Sequence, residues 1–79
     1  MLPEKEIEKA YKRLLHRIEE HYRIAEDAGT DSWAKMASHE SCAHHETVKL
    51  NWYEKILELP KTPRRSICRE ALKEKEGKS

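Results

Sequence analysis

The sequence predicts an all-α protein, and three observations support this class. The 79 residues include only two Gly and three Pro, so the chain lacks most of the turn residues that β-hairpins require. Apolar residues recur at steps of three and four, the period of an amphipathic helix. Charged residues make up 39 % of the chain against about 25 % in an average globular protein, which is too polar for a compact sphere and too patterned for disorder.

The first helix is predicted to span about residues 3–28. Its apolar stripe consists of Ile7, Tyr11, Leu14, Ile18, Tyr22 and Ala25. Pro3 suits the first helical position, and Glu4 and Glu6 complement the helix dipole. Gly29 follows the last apolar position, where a left-handed helix terminus needs glycine.

The second helix is predicted over about residues 32–59, with Thr30 or Asp31 as its cap and Pro60 as its stop. Thr62 and Pro63 then resemble the cap and first turn of a short third helix. This third helix carries Ile67, Ala71 and Leu72 on one side over about residues 63–75, and a frayed tail covers residues 76–79. All 79 residues form a single small helical domain.

A short turn between two long helices makes them an antiparallel hairpin. Such a hairpin cannot cover its own apolar stripes, and the third helix reaches only part of them. We therefore expect homodimerisation to complete a four-helix core. The residues expected in an interface are Trp52, Tyr53, Ile56, Leu57 and Leu59, which spread over a wide arc of the second helix. For Trp52 and Tyr53 the alternative is that they close the intramolecular core.

The segment HESCAHHETV, residues 39–48, concentrates three histidines, one cysteine and two glutamates. Glu40 and His44 fall on the apolar side of the second helix, and the register of the hairpin places Glu40 near His21. The sequence thus predicts that His21, Glu40 and His44 are buried together. Three explanations remain open: a self-satisfied polar network that sets the register, a metal site in a helical bundle, or an acid/base pair.

A second candidate group on the same helix contains His39, Cys42, His45 and Glu46. Imidazole, thiolate and carboxylate are the ligands that zinc prefers. Structural zinc sites, however, draw ligand pairs from two elements, whereas this group lies on one helix. A solvated polar flank is therefore the favoured interpretation; we expect no cofactor, with a transition metal such as zinc as the alternative.

The third helix has a basic side made of Arg64, Arg65, Arg69 and Lys73. Arg64 and Arg65 would stand at its positive end, which indicates contact with an anionic partner. Nucleic acid is one such partner, although the stacking aromatics that it usually requires are missing. A solvated charged face is again the simpler interpretation.

The sequence lacks a glycine-rich phosphate loop, a nucleophile elbow and a CxxC pair, so we expect no enzymatic activity. It also lacks an apolar stretch long enough for a signal peptide or a bilayer span, and Cys42 and Cys68 are expected to be free thiols in the cytoplasm. The function expected is protein binding by a small regulatory or inhibitory helical module, of the kind that mobile elements encode. Metal binding and nucleic-acid binding are the alternatives.

Overall fold

The computed structural model describes residues 4–77. Three α-helices make up most of this part of the chain: α1 spans Glu4–Ala28, α2 spans Trp33–Leu57 and α3 spans Ile67–Gly77. A short 3-10 turn, Gly29–Ser32, connects α1 with α2. Residues 4–77 contain no strand, so the prediction of an all-α protein is confirmed.

α1 buries one stripe of side chains. Its buried residues are Leu14, Ile18, Tyr22 and Ala25, whose spacing places them on one side of the helix. Glu4 and Glu6 lie in the first turn, where negative charge is favourable against the helix dipole. The predicted start at Pro3 and the last two residues of the predicted tail, 78–79, lie outside the described residues.

α2 packs along α1. Three polar pairs join the two helices: Tyr11 with Glu54, Arg17 with Glu46, and His21 with His39. From one pair to the next, the residue number increases on the α1 side (11, 17, 21) and decreases on the α2 side (54, 46, 39). The described chain measures 54 × 19 × 13 Å, whereas one uninterrupted helix over residues 4–57 would be about 80 Å long. The two helices therefore lie side by side.

The connection between α1 and α2 depends on Gly29. This residue has a φ of 55°, a conformation that glycine adopts without the steric penalty of a Cβ atom. Thr30 and Asp31, which were predicted as caps of the second helix, lie inside the 3-10 turn instead. Ser32 occupies the cap position and makes no capping hydrogen bond through its side chain.

α2 ends three residues before Pro60. The Glu58 N–H donates to the Lys55 carbonyl at 3.4 Å, and the Leu59 N–H donates to the Glu54 carbonyl at 2.8 Å. These two bonds form a Schellman motif, which usually has glycine in its left-handed position. Here that position is Glu58, with a φ of 58°. The helix thus stops through a strained residue rather than at the proline.

α3 begins at Ile67 and not at Pro63, as the sequence had predicted. Residues 58–66, which we call the connecting segment, are not helical. The cause is competition for backbone groups, because side chains of α1 and α2 bind the N–H and carbonyl groups of Thr62 and Arg65. Pro63 also disfavours helical geometry at Thr62.

The hydrophobic core lies between α1 and α2 and is covered on a third side by the start of α3. It consists of Leu14, Ile18, Tyr22, Ala25, Met36, Ala43, Leu50 and Ile67. Met36, Ala43 and Leu50 are at most 1 % exposed in a single chain. A second copy is therefore not required to bury this set, and homodimerisation stays a prediction. Among residues 4–77, no helix is long and apolar enough to span a bilayer.

Replacing Glu58 by glycine should stabilise the protein. In the left-handed conformation, a residue with a Cβ atom is strained by about 1–2 kcal/mol. Glycine lacks this strain but loses more conformational entropy on folding, so only part of that free energy is gained. We expect Glu58→Gly to raise the free energy of unfolding by about 1 kcal/mol and the melting temperature by about 4–8 °C. Thermal unfolding followed by circular dichroism measures both.

Glu58→Ala is the matched control, because alanine retains the Cβ atom and should stay within about 0.5 kcal/mol of the wild type. Gly29→Ala should have the opposite effect and cost about 1 kcal/mol, although space for a Cβ atom is available there. Equal stability of Glu58→Gly and Glu58→Ala would contradict the proposed strain.

Candidate functional site

A buried carboxylate, Glu54, organises the polar contacts between α1, α2 and the connecting segment. Its side chain is 1 % exposed. Its oxygens accept hydrogen bonds from the Tyr11 hydroxyl, the Asn51 amide, and both the N–H and the hydroxyl of Thr62. Asn51 also donates to the Thr62 carbonyl at 3.2 Å. Donated hydrogen bonds thus replace the water that the carboxylate loses on burial.

The pKa values of this network show which protonation state it requires. Burial alone raises the pKa of Glu54, but hydrogen bonds from Thr62, Asn51 and Tyr11 outweigh it and hold the pKa below its ordinary value. Burial raises the pKa of Tyr11, and the charge of Glu54 raises it further. Glu54 is therefore an ionised acceptor surrounded by donors, which suits a structural role better than general acid or base catalysis.

Arg65 is, after Thr62, the second residue through which the connecting segment is bound to the helices. Its backbone N–H donates to the Tyr22 hydroxyl at 3.1 Å, and its carbonyl lies 2.7 Å from Nε2 of His44. Because a carbonyl can only accept, His44 carries a proton on Nε2. The guanidinium of Arg65 lies 5.3 Å from the centre of the Tyr22 ring and pairs with Glu26.

Glu40 holds the third point, at the start of α3. Its Oε1 accepts from the backbone N–H groups of Ile67 and Cys68, which have no partner within the first turn of a helix. The negative charge also complements the dipole of α3. Burial raises the pKa of the Cys68 thiol, and the hydrogen bond and charge of Glu40 raise it further. The thiol is therefore protonated at neutral pH.

The predicted cluster of His21, Glu40 and His44 is not assembled in the structure, so this prediction was wrong. Nδ1 of His21 lies 3.0 Å from Nδ1 of His39, while Glu40 binds the start of α3 and His44 binds Arg65. The reason is geometric. Consecutive helical residues point about 100° apart, so His39 faces α1 whereas Glu40 faces the start of α3.

The second predicted group is divided between the helix interface and solvent. Glu46 is buried and pairs with Arg17 at 2.8 Å, while its Oε2 is buried without a hydrogen-bond partner. Cys42 and His45 are exposed. His39 turns to α1 and approaches His21.

The two facing imidazoles of His21 and His39 are the best candidate ligands for a metal. As a hydrogen-bonded pair they need different tautomers, because one Nδ1 must donate and the other accept. Across residues 4–77, no group of three or more His, Cys, Asp or Glu residues is placed to hold a metal ion. These residues thus offer zinc a ligand pair instead of the four ligands of a structural site.

The residues predicted for an interface differ in their exposure. Trp52 is 72 %, Ile56 61 % and Leu59 43 % exposed. Tyr53 and Leu57 are partly buried, and Tyr53 packs against the core. The structure therefore places the first three in contact with solvent and directs Tyr53 inward.

Val48 joins the exposed set, at 42 %. Because Val48, Trp52 and Ile56 are four residues apart, they form one ridge on the side of α2 that faces away from α1. Leu59 continues the ridge just beyond the helix. We call Val48, Trp52, Ile56 and Leu59 the outer stripe.

Two shallow depressions lie on either side of this ridge, and Trp52 and Ile56 border both. The first is also lined by His45, Val48, Lys49 and Tyr53, and the second by Asn51, Glu54, Lys55, Leu59 and Lys61. Apolar surface flanked by grooves is typical of a site for side chains of another protein.

The predicted basic side of the third helix is only partly available. Arg64, Arg69 and Lys73 are exposed, but Arg65 is engaged by Glu26 and lies 3.9 Å from Glu70. The expectation that Arg64 and Arg65 stand at the positive end of a helix was wrong, since α3 begins at Ile67. The positions of Arg64 and Arg65 therefore do not indicate an anionic partner.

Sequence reasoning missed Glu54 and its partners Asn51 and Thr62. A signal was available, because Ala43, Thr47, Leu50, Glu54 and Leu57 are spaced by four, three, four and three residues. This spacing places a carboxylate on the core face of α2. What it could not show is that the donors come from a segment eight residues further along the chain.

Comparisons with protein families, with curated proteins and with solved structures find no match to this chain.

We expect the stability of the protein to fall in acid through Glu54. A carboxylate whose pKa is lowered on folding stabilises the protein above its ordinary pKa, and this contribution is lost as the pH falls below about 4.5 towards the folded value. Glu54→Gln should cost about 1–3 kcal/mol at neutral pH and reduce the acid dependence, measured by urea unfolding at several pH values. Glu19→Gln, at an exposed site, is the control. Parallel pH profiles for wild type and Glu54→Gln would contradict this role.

Glu40 should protect both the start of α3 and the Cys68 thiol. Glu40→Gln removes the negative charge, so the pKa of Cys68 should fall and its reaction with a disulfide reagent should accelerate by about threefold or more. Cys42, which is exposed, is the internal control and should react at an unchanged rate. A variant that leaves the Cys68 rate unchanged would show that Glu40 does not influence the thiol.

Proposed function

We propose that this chain is a small, non-enzymatic protein-interaction module with a regulatory or inhibitory role. In this proposal α1 and α2 form a helical hairpin, α3 extends it, and the outer stripe of α2 contacts the partner. The observation that supports it best is the exposure of Trp52, which is 72 % accessible between two other exposed apolar residues of the same ridge. Tryptophan is enriched among the residues that contribute most binding energy at interfaces.

The outer stripe has no evident structural task within one chain. The core residues of α2 are buried on the opposite side of the helix, against α1 and α3. An exposed Trp or Ile that stabilised the fold would be expected to make buried contacts. A contiguous apolar ridge on a soluble helix instead indicates a binding site.

The polar residues support a non-enzymatic role. Glu54, Glu40 and His44 are engaged with the connecting segment or the start of α3. A catalytic base, in contrast, needs a free position facing a substrate. The free thiols of Cys42 and Cys68 are compatible with the cytoplasmic location that we propose.

A second copy of the chain is one partner that this proposal includes, and such a dimer would form the four-helix core predicted from the sequence. The alternative functions have weaker support. Metal binding rests on the His21–His39 pair alone, and nucleic-acid binding rests on exposed basic residues without stacking aromatics among them.

A photo-crosslinking amino acid placed at Ile56 tests the proposal inside cells. The matched control carries it at His16, which is exposed on α1. We expect position 56 to form protein adducts that position 16 does not form. The captured protein, once purified, should bind the wild type and lose affinity by about 30-fold or more with Trp52→Ser, measured by calorimetry.

Trp52→Ser should leave the melting temperature nearly unchanged, because the side chain is exposed and substitutions of this kind cost within about 0.5 kcal/mol. An adduct of twice the chain mass would identify a second copy as the partner. Equal adducts at both positions, or full affinity of Trp52→Ser, would contradict the proposed surface.

A further inference from the structure

The outer stripe has a basic border. At about 100° per residue, Lys49 and Lys55 lie roughly 60° to either side of Trp52 on α2. Lys61 of the connecting segment lines the depression on the Lys55 side, and all three lysines are exposed. The whole chain has a net charge of only +1, so this positive border is a local property of the surface.

Within α2 the carboxylates beside the outer stripe point the other way, whereas Glu58, just beyond the helix, is exposed. Between His45 and Ile56 the acidic residues are Glu46 and Glu54, and both are buried. Glu46 pairs with Arg17 of α1, and Glu54 binds the connecting segment. This part of α2 therefore presents apolar and positively charged groups outward and keeps its negative charges inside.

We infer that the outer stripe binds an acidic amphipathic helix of a partner protein, an inference that rests on the interaction function proposed above. The apolar side chains of that helix lie in the two depressions beside Trp52 and Ile56. Its carboxylates flank the apolar positions and pair with Lys49 on one side and Lys55 on the other.

The dimensions of the ridge fit a helix. Val48 to Ile56 covers about 12 Å, slightly more than two turns. A bound helix with apolar residues at positions i, i+3 or i+4, and i+7 places them on the two sides of such a ridge. The methylene groups of Lys49 and Lys55 extend the apolar surface while their ammonium groups reach the border.

Charge makes a second copy a poor occupant of this surface. Both borders of the ridge are basic, so pairing the stripe with itself brings lysine against lysine whether the helices run parallel or antiparallel. Like charges across an interface are unfavourable, whereas an acidic helix reverses the sign of every such contact.

A bilayer surface also attracts lysines and tryptophan, but the shape of the surface favours a protein. Helices that lie in a membrane interface bury a long apolar face. Here the same side of α2 continues towards its N-terminus with the exposed residues Ala34, Ser38 and Ser41, which offer little apolar area. The apolar part is thus a short patch.

Fluorescence anisotropy with labelled peptides tests this inference on the full chain. The probe is a synthetic amphipathic peptide of about 20 residues with leucines at positions i, i+3, i+4 and i+7 and glutamates beside them. The comparison peptide has lysines in place of the glutamates. We expect the acidic peptide to bind about tenfold more tightly than the basic one, and the difference to shrink as salt rises from about 50 to about 500 mM.

Two charge-reversed variants make the test specific. Lys49→Glu with Lys55→Glu should reverse the preference, so that the basic peptide binds more tightly than the acidic one. Lys9→Glu with Lys12→Glu changes the net charge equally at exposed sites of α1 and should retain the original preference. Trp52→Ser should weaken binding of the acidic peptide by about tenfold or more.

The outcomes separate this inference from the proposed function. Equal binding of both peptides, or no binding of the acidic one, overturns the acidic partner even if crosslinking at Ile56 captures a protein. Binding to vesicles of anionic lipid in preference to the acidic peptide, or a dimer in light scattering that Trp52→Ser dissociates, also overturns it. Peptide selectivity without any crosslinked protein would instead contradict the proposed function.

Discussion

The burial of one ionised carboxylate, Glu54, is the constraint on which the rest of the structure depends. A charge inside a small core is tolerated only if donors replace its lost water, and one hydroxyl from α1 is not sufficient. The remaining donors come from Asn51 and from Thr62 of the connecting segment. The chain after α2 is thereby drawn back along the helices, and Arg65 and the start of α3 follow.

This arrangement explains why several polar residues of α2 contact other elements of the protein while several of its apolar residues face solvent. Glu40, His44 and Glu54 face the other elements and form hydrogen bonds with backbone groups of the connecting segment and of the start of α3. In a continuous helix these backbone groups would bond to one another. Trp52 and Ile56 face solvent. The connecting segment and α3 occupy one side of α2 and α1 another, so the third side stays uncovered.

Helix formation and the position of Gly29 followed from local patterns, whereas the interface expected around Trp52 stays a prediction. The prediction for the histidine-rich segment was wrong because helical spacing gives the direction of each side chain on α2 but not the element that packs against it. His39 faces His21, at the place where the sequence had predicted Glu40. Glu40, one residue further, turns by about 100° and meets α3 instead.

The sequence alone determined the all-helical class and the core stripe of α1, because both depend on residue spacing within a few turns. It also placed an aromatic and aliphatic surplus near the end of α2. Only the tertiary structure decided the path of residues 58–66, the late start of α3 at Ile67 and the fate of each buried carboxylate. The physical reason is that these features arise from side chains that bind backbone groups far away in the chain, and no local pattern of helix propensity contains such contacts.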